Sequence, residues 1–277
     1  MELSPDFTYR LNNGSEIPRL GLGVFQNPKG ESTVNAVKTA LETGYRHIDT
    51  ASIYGNEKSV GEAVQASNLP RKDIFITTKL WNSDHGYDRV MHAFKESLHQ
   101  LNVKYIDLYL IHWPVYGLRV ESYNALETIY ESGKCQAIGV SNYMIKHLKE
   151  LMKFCGIKPA VNQIEISPYN YKSRLEVINF CKDNDIAIEA YSPLTKGIKL
   201  KDEKLKAIAG KYEKTTAQLL IRWSLQHNFI VLAKSANPGR IAENKDVFDF
   251  TISDEDMKTM DSFDENLVTG WNPVEAP

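Results

Sequence analysis

Cysteine is scarce in this chain of 277 residues: there are three, Cys135, Cys155 and Cys181, and no two form a Cys-x-x-Cys pair. That excludes a disulfide framework and a zinc-ribbon pattern, and it fits a reducing compartment. No metal site is expected. Long apolar runs are missing too, since no stretch approaches the roughly 18 consecutive apolar residues of a membrane-spanning helix. Charge of one sign is equally lacking. The net charge is −2 with acids and bases interspersed, which leaves no basic stripe of the kind nucleic acid requires. Met1 to Tyr9 lacks the basic start and apolar centre of a signal peptide. No low-complexity linker divides the chain. These absences lead to one domain over residues 1–277, cytoplasmic and monomeric, with a small molecule rather than nucleic acid or membrane as its partner.

What is present is regular. Tyr9-Arg10-Leu11 and Ile17-Pro18-Arg19 flank Asn12-Asn13-Gly14-Ser15, and Asn-Gly between extended segments predicts a hairpin because both residues tolerate positive φ. Short apolar runs then begin near Leu20, His47, Ile74, Ile106, Ala137, Ala160, Ala187 and Ile230. Helical periodicity fills the gaps, as in Val34, Val37, Ala40 and Leu41, in Val90, Phe94, Leu98 and Leu101, and in Leu175, Ile178 and Cys181. The last gap holds two helical patterns, Leu200 to Tyr212 and Thr215 to Gln226. Eight strands alternating with helices in this length predict an α/β fold, a closed (β/α)8 TIM barrel, with the N-terminal hairpin covering its floor. A final helix from Ser253 to Phe263 starts with a capping-box-like Ser253 and Asp256. The tail from Asp264 to Pro277 reads as loop. Gly21-Leu22-Gly23-Val24-Phe25-Gln26 lacks the third glycine of a dinucleotide-binding fingerprint and is not read as one.

In such a barrel the chemistry sits at the carboxyl ends of the strands. There the sequence places Asp49, Lys79, His112, Ser141-Asn142, Gln163, Tyr191-Ser192 and Lys234-Ser235, each after apolar residues. Individually each has a plain reading. Lys79 can be a surface lysine, Asp49 a helix cap, His112 a satisfied core histidine and Tyr54 a packing residue. Sharing one rim, Asp49, Tyr54, Lys79 and His112 point to proton donation beside a polarised carbonyl. A phenol of ordinary pKa about 10 is a slow acid near neutrality, and an adjacent ammonium would lower it. Asp49 would serve as the counter-ion of Lys79, and His112 would orient the substrate oxygen. With no metal or thiol nucleophile in sight, this set suits carbonyl reduction, the hydride coming from a cofactor.

The stretch Asp49 to Glu57 resembles a signature of the aldo-keto reductase family. The similarity extends through Gly44-Tyr45-Arg46, Thr78-Lys79-Leu80-Trp81, Leu110-Ile111-His112-Trp113-Pro114, Ile138-Gly139-Val140-Ser141-Asn142, Asn162-Gln163, Tyr191-Ser192-Pro193-Leu194, Lys234-Ser235 and Arg240-Ile241. The resemblance implies a catalytic tetrad of Asp49, Tyr54, Lys79 and His112, and NADPH/NADP+ as cofactor. It implies that Ser141, Asn142 and Gln163 hold the nicotinamide carboxamide and that Tyr191 stacks on the ring, with Ser192 and Leu194 also on the cofactor. Lys234, Ser235 and Arg240 would meet the adenosine 2′-phosphate, and Glu243 and Asn244 the adenine.

Some positions depart from the family pattern. Ala233 stands where proline is usual, which would loosen the loop before Lys234. Ser167 stands where histidine is common. The segment Val115 to Arg119 is short, and the tail ends soon after Trp271. Short loops of this kind resemble those of microbial glyoxal and methylglyoxal reductases or prostaglandin F synthase-like enzymes, so small aldehydes and dicarbonyls are the expected substrates. Phe25, Trp81, His112 and Trp113 are expected at the substrate, with Trp271 beside them, although each aromatic also has a packing reading. Two rivals remain: a Schiff-base aldolase using Lys79, and a barrel that binds NADPH without turning over. His85, His92 and His99, seven residues apart and so about 10 Å along a helix, read as a solvated face. Arg222-Trp223 reads as structural.

Overall fold

The computed structural model describes residue 4 and residues 7–277. The remaining N-terminal residues, on which the reading of a chain start without a signal peptide partly rests, lie outside the described residues. Strands β1 (Thr8–Arg10) and β2 (Glu16–Pro18) form the antiparallel hairpin, with Tyr9 opposite Ile17. In its turn only Gly14 takes a positive φ, 87°, while Asn13 accepts from the Ser15 amide and donates to the Gln136 carbonyl.

The eight expected strands are all present: β3 (Leu20–Gly23), β4 (His47–Asp49), β5 (Phe75–Leu80), β6 (Ile106–Ile111), β7 (Cys135–Ser141), β8 (Val161–Glu165), β9 (Ala187–Tyr191) and β10 (Ile230–Lys234). All are parallel and they close in the order β10-β3-β4-β5-β6-β7-β8-β9. Around them lie α1 (Glu31–Glu42), α2 (Glu57–Ala66), α3 (Tyr87–Leu101), α4 (Arg119–Glu131), α5 (Ile145–Leu151), α6 (Tyr171–Asp183), α7 (Glu203–Lys211) and α8 (Thr216–Gln226). Two more follow β10, α9 (Pro238–Lys245) and α10 (Asp254–Asp261). Helix α7 starts at Glu203 rather than Leu200 because Asp202 caps it, accepting from the Lys204 amide at 2.9 Å. Helix α9 is signalled by Asn237-Pro238, a capping side chain followed by proline at the first helical position. The tail carries one short 3-10 turn, Pro273–Glu275, and is otherwise irregular.

Strand parity decides what points inward. Successive side chains alternate faces, so Leu108 and Leu110 of β6 enter the barrel while Tyr109 and Ile111 join the helices outside. At the floor the inward layer is apolar: Phe75, Leu108, Ala137, Val161, Ala187 and Ile230, sealed by Leu11 and Ile17 of the hairpin. Two residues further along several strands the layer turns polar, bringing His47, Thr77, Gln163 and Glu189 into the sealed interior. Two further still lies the mouth. Glycine at position 21 is required beside His47 in the polar layer, because a Cβ there would meet His47 Nδ1 at 2.7 Å. Gly21 and Gly23 are therefore barrel-wall residues, in keeping with the rejected nucleotide fingerprint. Ala233 also lies in the wall, in β10 opposite Leu22; it is a ladder residue and does not loosen a loop.

The histidine repeat divides. His92 and His99 are exposed on α3, but His85 precedes the helix and is buried, its Nδ1 3.0 Å from Ser122 Oγ of α4. Arg222 and Trp223 are structural: Trp223 is fully buried and Arg222 ties α8 to the Val247 carbonyl. No helix among the described residues is long and apolar enough to cross a membrane.

Burial moves the imidazoles of His47 and His85 down, to about 3 and about 4. The unfolded chain, with histidine near 6.5, then binds more protons in the window below that value, so stability falls as pH drops from about 6.5 toward 4. His85→Asn, which keeps a polar partner for Ser122, is expected to flatten part of that fall in a series of denaturant midpoints. Equal slopes for the two proteins would contradict a buried neutral His85.

Candidate active site

Asp49 ends β4, and the 3-10 turn Ser52–Tyr54 follows at once, closed by Gly55 at φ 66°. That turn folds Tyr54 back over the barrel mouth. Ser52 helps to fix it by donating to the Lys79 carbonyl at 3.0 Å. Lys79, on the inward face of β5, is wholly buried. Its ammonium lies 2.7 Å from the Asp49 carboxylate, 2.8 Å from the Thr50 carbonyl and 3.5 Å from Tyr54 Oη. A buried ammonium without such partners would cost several kcal/mol. The four residues expected at one rim are thus together, His112 completing the set with its ring 5.6 Å from that of Tyr54.

One expectation is reversed. Lys79 does not draw the Tyr54 phenol below its ordinary value. Burial raises it well above 10, and the carboxyls of Asp49 and Glu189 raise it further. The ammonium is closer to Asp49 than to the phenol, so the pair presents little net positive charge to Tyr54. Burial likewise pushes the Asp49 carboxyl up, while Lys79 and Gln163 pull it back. His112 is driven well below 6.5 by burial and by Lys79. It is a neutral imidazole, and its Nδ1 is buried without a hydrogen-bond partner among the described residues.

The neighbouring strand ends converge on the same mouth. Asn142 follows β7 at φ 63°, a left-handed conformation that asparagine tolerates. It donates to the His112 carbonyl at 3.1 Å and accepts from Tyr191 Oη at 2.8 Å. Ser141 Oγ donates to the Gln163 carbonyl at 2.9 Å, and the Gln163 amide donates to Asp49 at 2.9 Å. Ser192 and Leu194 lie half-buried just beyond Tyr191. Lys234, Ser235, Arg240, Glu243 and Asn244 sit apart from the tetrad, on the segment leading from β10 into α9. Lys234 and Arg240 are exposed there, Ser235 Oγ accepts from the Asn237 amide, and Glu243 accepts from Thr215, the residue capping α8, at 2.8 Å.

The aromatic residues form a wall over the mouth. Phe25 packs on Tyr54 at 4.9 Å between ring centroids, Trp81 on His112 at 5.2 Å, and Trp271 on both Trp81 and Trp113 at 5.4 and 6.0 Å. Trp271 is held by a feature that the sequence reading missed. Glu165, at the carboxyl end of β8, accepts from the Thr269 amide at 2.9 Å, from the Thr269 hydroxyl and from the Gly270 amide, while Lys196 donates to the Thr269 carbonyl at 2.6 Å. Glu189 and His47 were missed as well. A glutamate in the middle of the apolar run Ala187-Ile188-Glu189-Ala190 was the available signal for the first. No group of three or more metal-binding side chains occurs among the described residues.

Removing one member of the buried pair strands the other, so Lys79→Met and Asp49→Asn are each expected to lose about 3–5 kcal/mol in chemical denaturation. The double variant should lose clearly less than the sum of the two. Strictly additive losses would contradict a direct Asp49–Lys79 partnership.

Comparison with known proteins agrees with this geometry. The model of the aldo/keto reductase family matches residues 19–265. A glyoxal reductase of Bacillus subtilis is 45% identical over 268 residues, covering 97% of this chain and 96% of that protein. A 9,11-endoperoxide prostaglandin H2 reductase of Trypanosoma cruzi is 47% identical, covering 95% and 93%. Among solved structures, a Bombyx mori aldo-keto reductase in complex with NADP superposes with a TM-score of 0.90 at 34% identity, covering 96% of this chain and 95% of that one. Barrel, mouth and relatives lead to one conclusion: this chain belongs to the aldo/keto reductase family.

Proposed function

We propose that the protein is an NADPH-dependent reductase of small aldehydes and dicarbonyls, acting as one domain over the whole chain. The observation that carries this reading is the buried Lys79 ammonium, shared between Asp49 and Tyr54 beneath an aromatic-walled mouth. Several residues support a nicotinamide cofactor. Gln163 Oε1 has no hydrogen-bond partner among the described residues, and Ser141 and Asn142 stand beside it. Lys234 and Arg240, with the hydroxyl of Ser235 and the amino end of α9, suit a phosphate. Tyr191, Ser192 and Leu194 border the nicotinamide side, and Glu243 and Asn244 the adenine side. When bound, the nicotinamide supplies a hydride to the carbonyl carbon.

The protein's own part is proton delivery and positioning. Tyr54 donates its phenolic proton to the carbonyl oxygen. The raised phenol is protonated in the resting protein and gives up its proton as charge develops on an oxygen more basic than phenolate. Lys79 and Asp49 fix the phenol and stabilise the phenolate left behind. Neutral His112 donates to the same oxygen and sets its angle. Phe25, Trp81 and Trp113 exclude water and leave room for a small carbonyl compound, in line with the activity for which the Bacillus relative is named. A Schiff base on Lys79 is disfavoured, since its N–H groups are committed to Asp49, the Thr50 carbonyl and Tyr54.

Tyr54→Phe is expected to lower turnover of methylglyoxal by about 10²–10⁴-fold while NADPH binding, followed by fluorescence quenching, persists. Retained turnover would overturn Tyr54 as the acid. Arg240→Ala should weaken NADPH by about tenfold or more, the loss of one charged hydrogen bond, and leave NADH unchanged in the same titration. Equal losses for both cofactors would remove Arg240 from the phosphate.

A further inference from the structure

Glu189 is fully buried in the interior of β9, below the mouth, and takes no part in the proton transfer described above. Its Oε2 accepts from Gln163 Nε2 at 2.6 Å. The same nitrogen donates to Asp49 Oδ2 at 2.9 Å. Both N–H bonds of the Gln163 amide are therefore spent on carboxyl oxygens, one from β4 and one from β9. Turning that amide over would set Oε1 against two acceptors at these distances, a repulsive arrangement with two oxygens left unsatisfied in a dry interior. No hydrogen bond from the described residues reaches Oε1, which is left for whatever enters the mouth.

The geometry points to Glu189 as a positioning residue that locks the polarity of Gln163, so that the site offers an acceptor only and selects a ligand carrying an N–H, the carboxamide of the nicotinamide. This rests on the NADPH reading given above. The surroundings of Glu189 fit the role. His47 and Asp49 face it from β4, Lys79 from β5 and Gln163 from β8, while its partner in β10 is the apolar Ile230. Burial and the nearby Asp49 push the Glu189 carboxyl up, while Gln163 and Lys79 pull it back. Its other oxygen, Oε1, faces His47 Nε2 at 3.5 Å. Glutamine in its place keeps an oxygen of the same reach for the Gln163 amide.

The test compares binding of NADPH with binding of its acetylpyridine analogue, in which a methyl ketone replaces the carboxamide and no N–H remains. Both are followed by quenching of protein fluorescence. The native protein is expected to favour NADPH by about tenfold, the worth of one hydrogen bond. Glu189→Gln should keep that ratio. Glu189→Leu, which leaves Asp49 as the one acceptor holding the Gln163 amide, should bring the two ligands within about twofold. If Glu189→Leu does not fold, Glu189→Thr, too short to reach Gln163, is read in its place. An unchanged ratio in the Leu or Thr variant, or a native protein that binds NADPH without preferring it to the analogue, overturns the inference alone. A native protein that binds no NADPH overturns the reading of the site beneath it.

Discussion

The structure of the mouth depends on one buried ammonium. Lys79 has no exposed surface, and a cation in that position is tolerable only if its charge and all its N–H groups are answered. Asp49 supplies the charge, and the backbone of Thr50 and the phenol of Tyr54 supply the rest. Those partners come from the end of β4 and from the turn that follows it. Folding the ammonium into the barrel therefore forces Tyr54 over the mouth. The requirement also reaches sideways. Asp49 accepts from Gln163, and Gln163 reaches Glu189, so a chain of buried polar groups crosses the barrel from β5 to β9. Such chains specify a geometry strongly when every member is satisfied.

Much of this was legible in the sequence. Eight apolar runs separated by helical periodicity determine a closed parallel barrel, and barrels place polar residues at one end. That reasoning brought Asp49, Lys79 and His112 to the same rim without any knowledge of contacts. Tyr54 could be placed there because a turn at Gly55-Asn56 follows it closely. Spacing along the chain was sufficient for these residues because each ends a strand or directly follows one.

What the sequence hid depends on closure. Glu189 lies beside Gln163 in the β8–β9 ladder, but it meets Asp49 and His47 only when β9 and β4 face each other across the barrel, and their separation in the chain says nothing of that. Glu165 and Thr269 meet for the same reason, through a tail that reads as featureless loop. His85 looked like one of a solvated series; a single turn between it and α3 is enough to bury it against Ser122. The Tyr54 phenol moves up rather than down because its burial, which spacing along the chain does not show, outweighs the ammonium, with the Asp49 and Glu189 carboxyls adding to it.

That last difference separates two ways of using a lysine beside a tyrosine. In one, the ammonium ionises the phenol in the resting protein. In the other, a lysine already balanced by Asp49 leaves the phenol protonated and ready to give its proton up. Ultraviolet difference titration of tyrosinate, the native protein minus Tyr54→Phe, distinguishes them directly. With the balanced pair, Tyr54 contributes no ionisation up to the ordinary phenol value of about 10. A Tyr54 phenolate forming near neutral pH would contradict it.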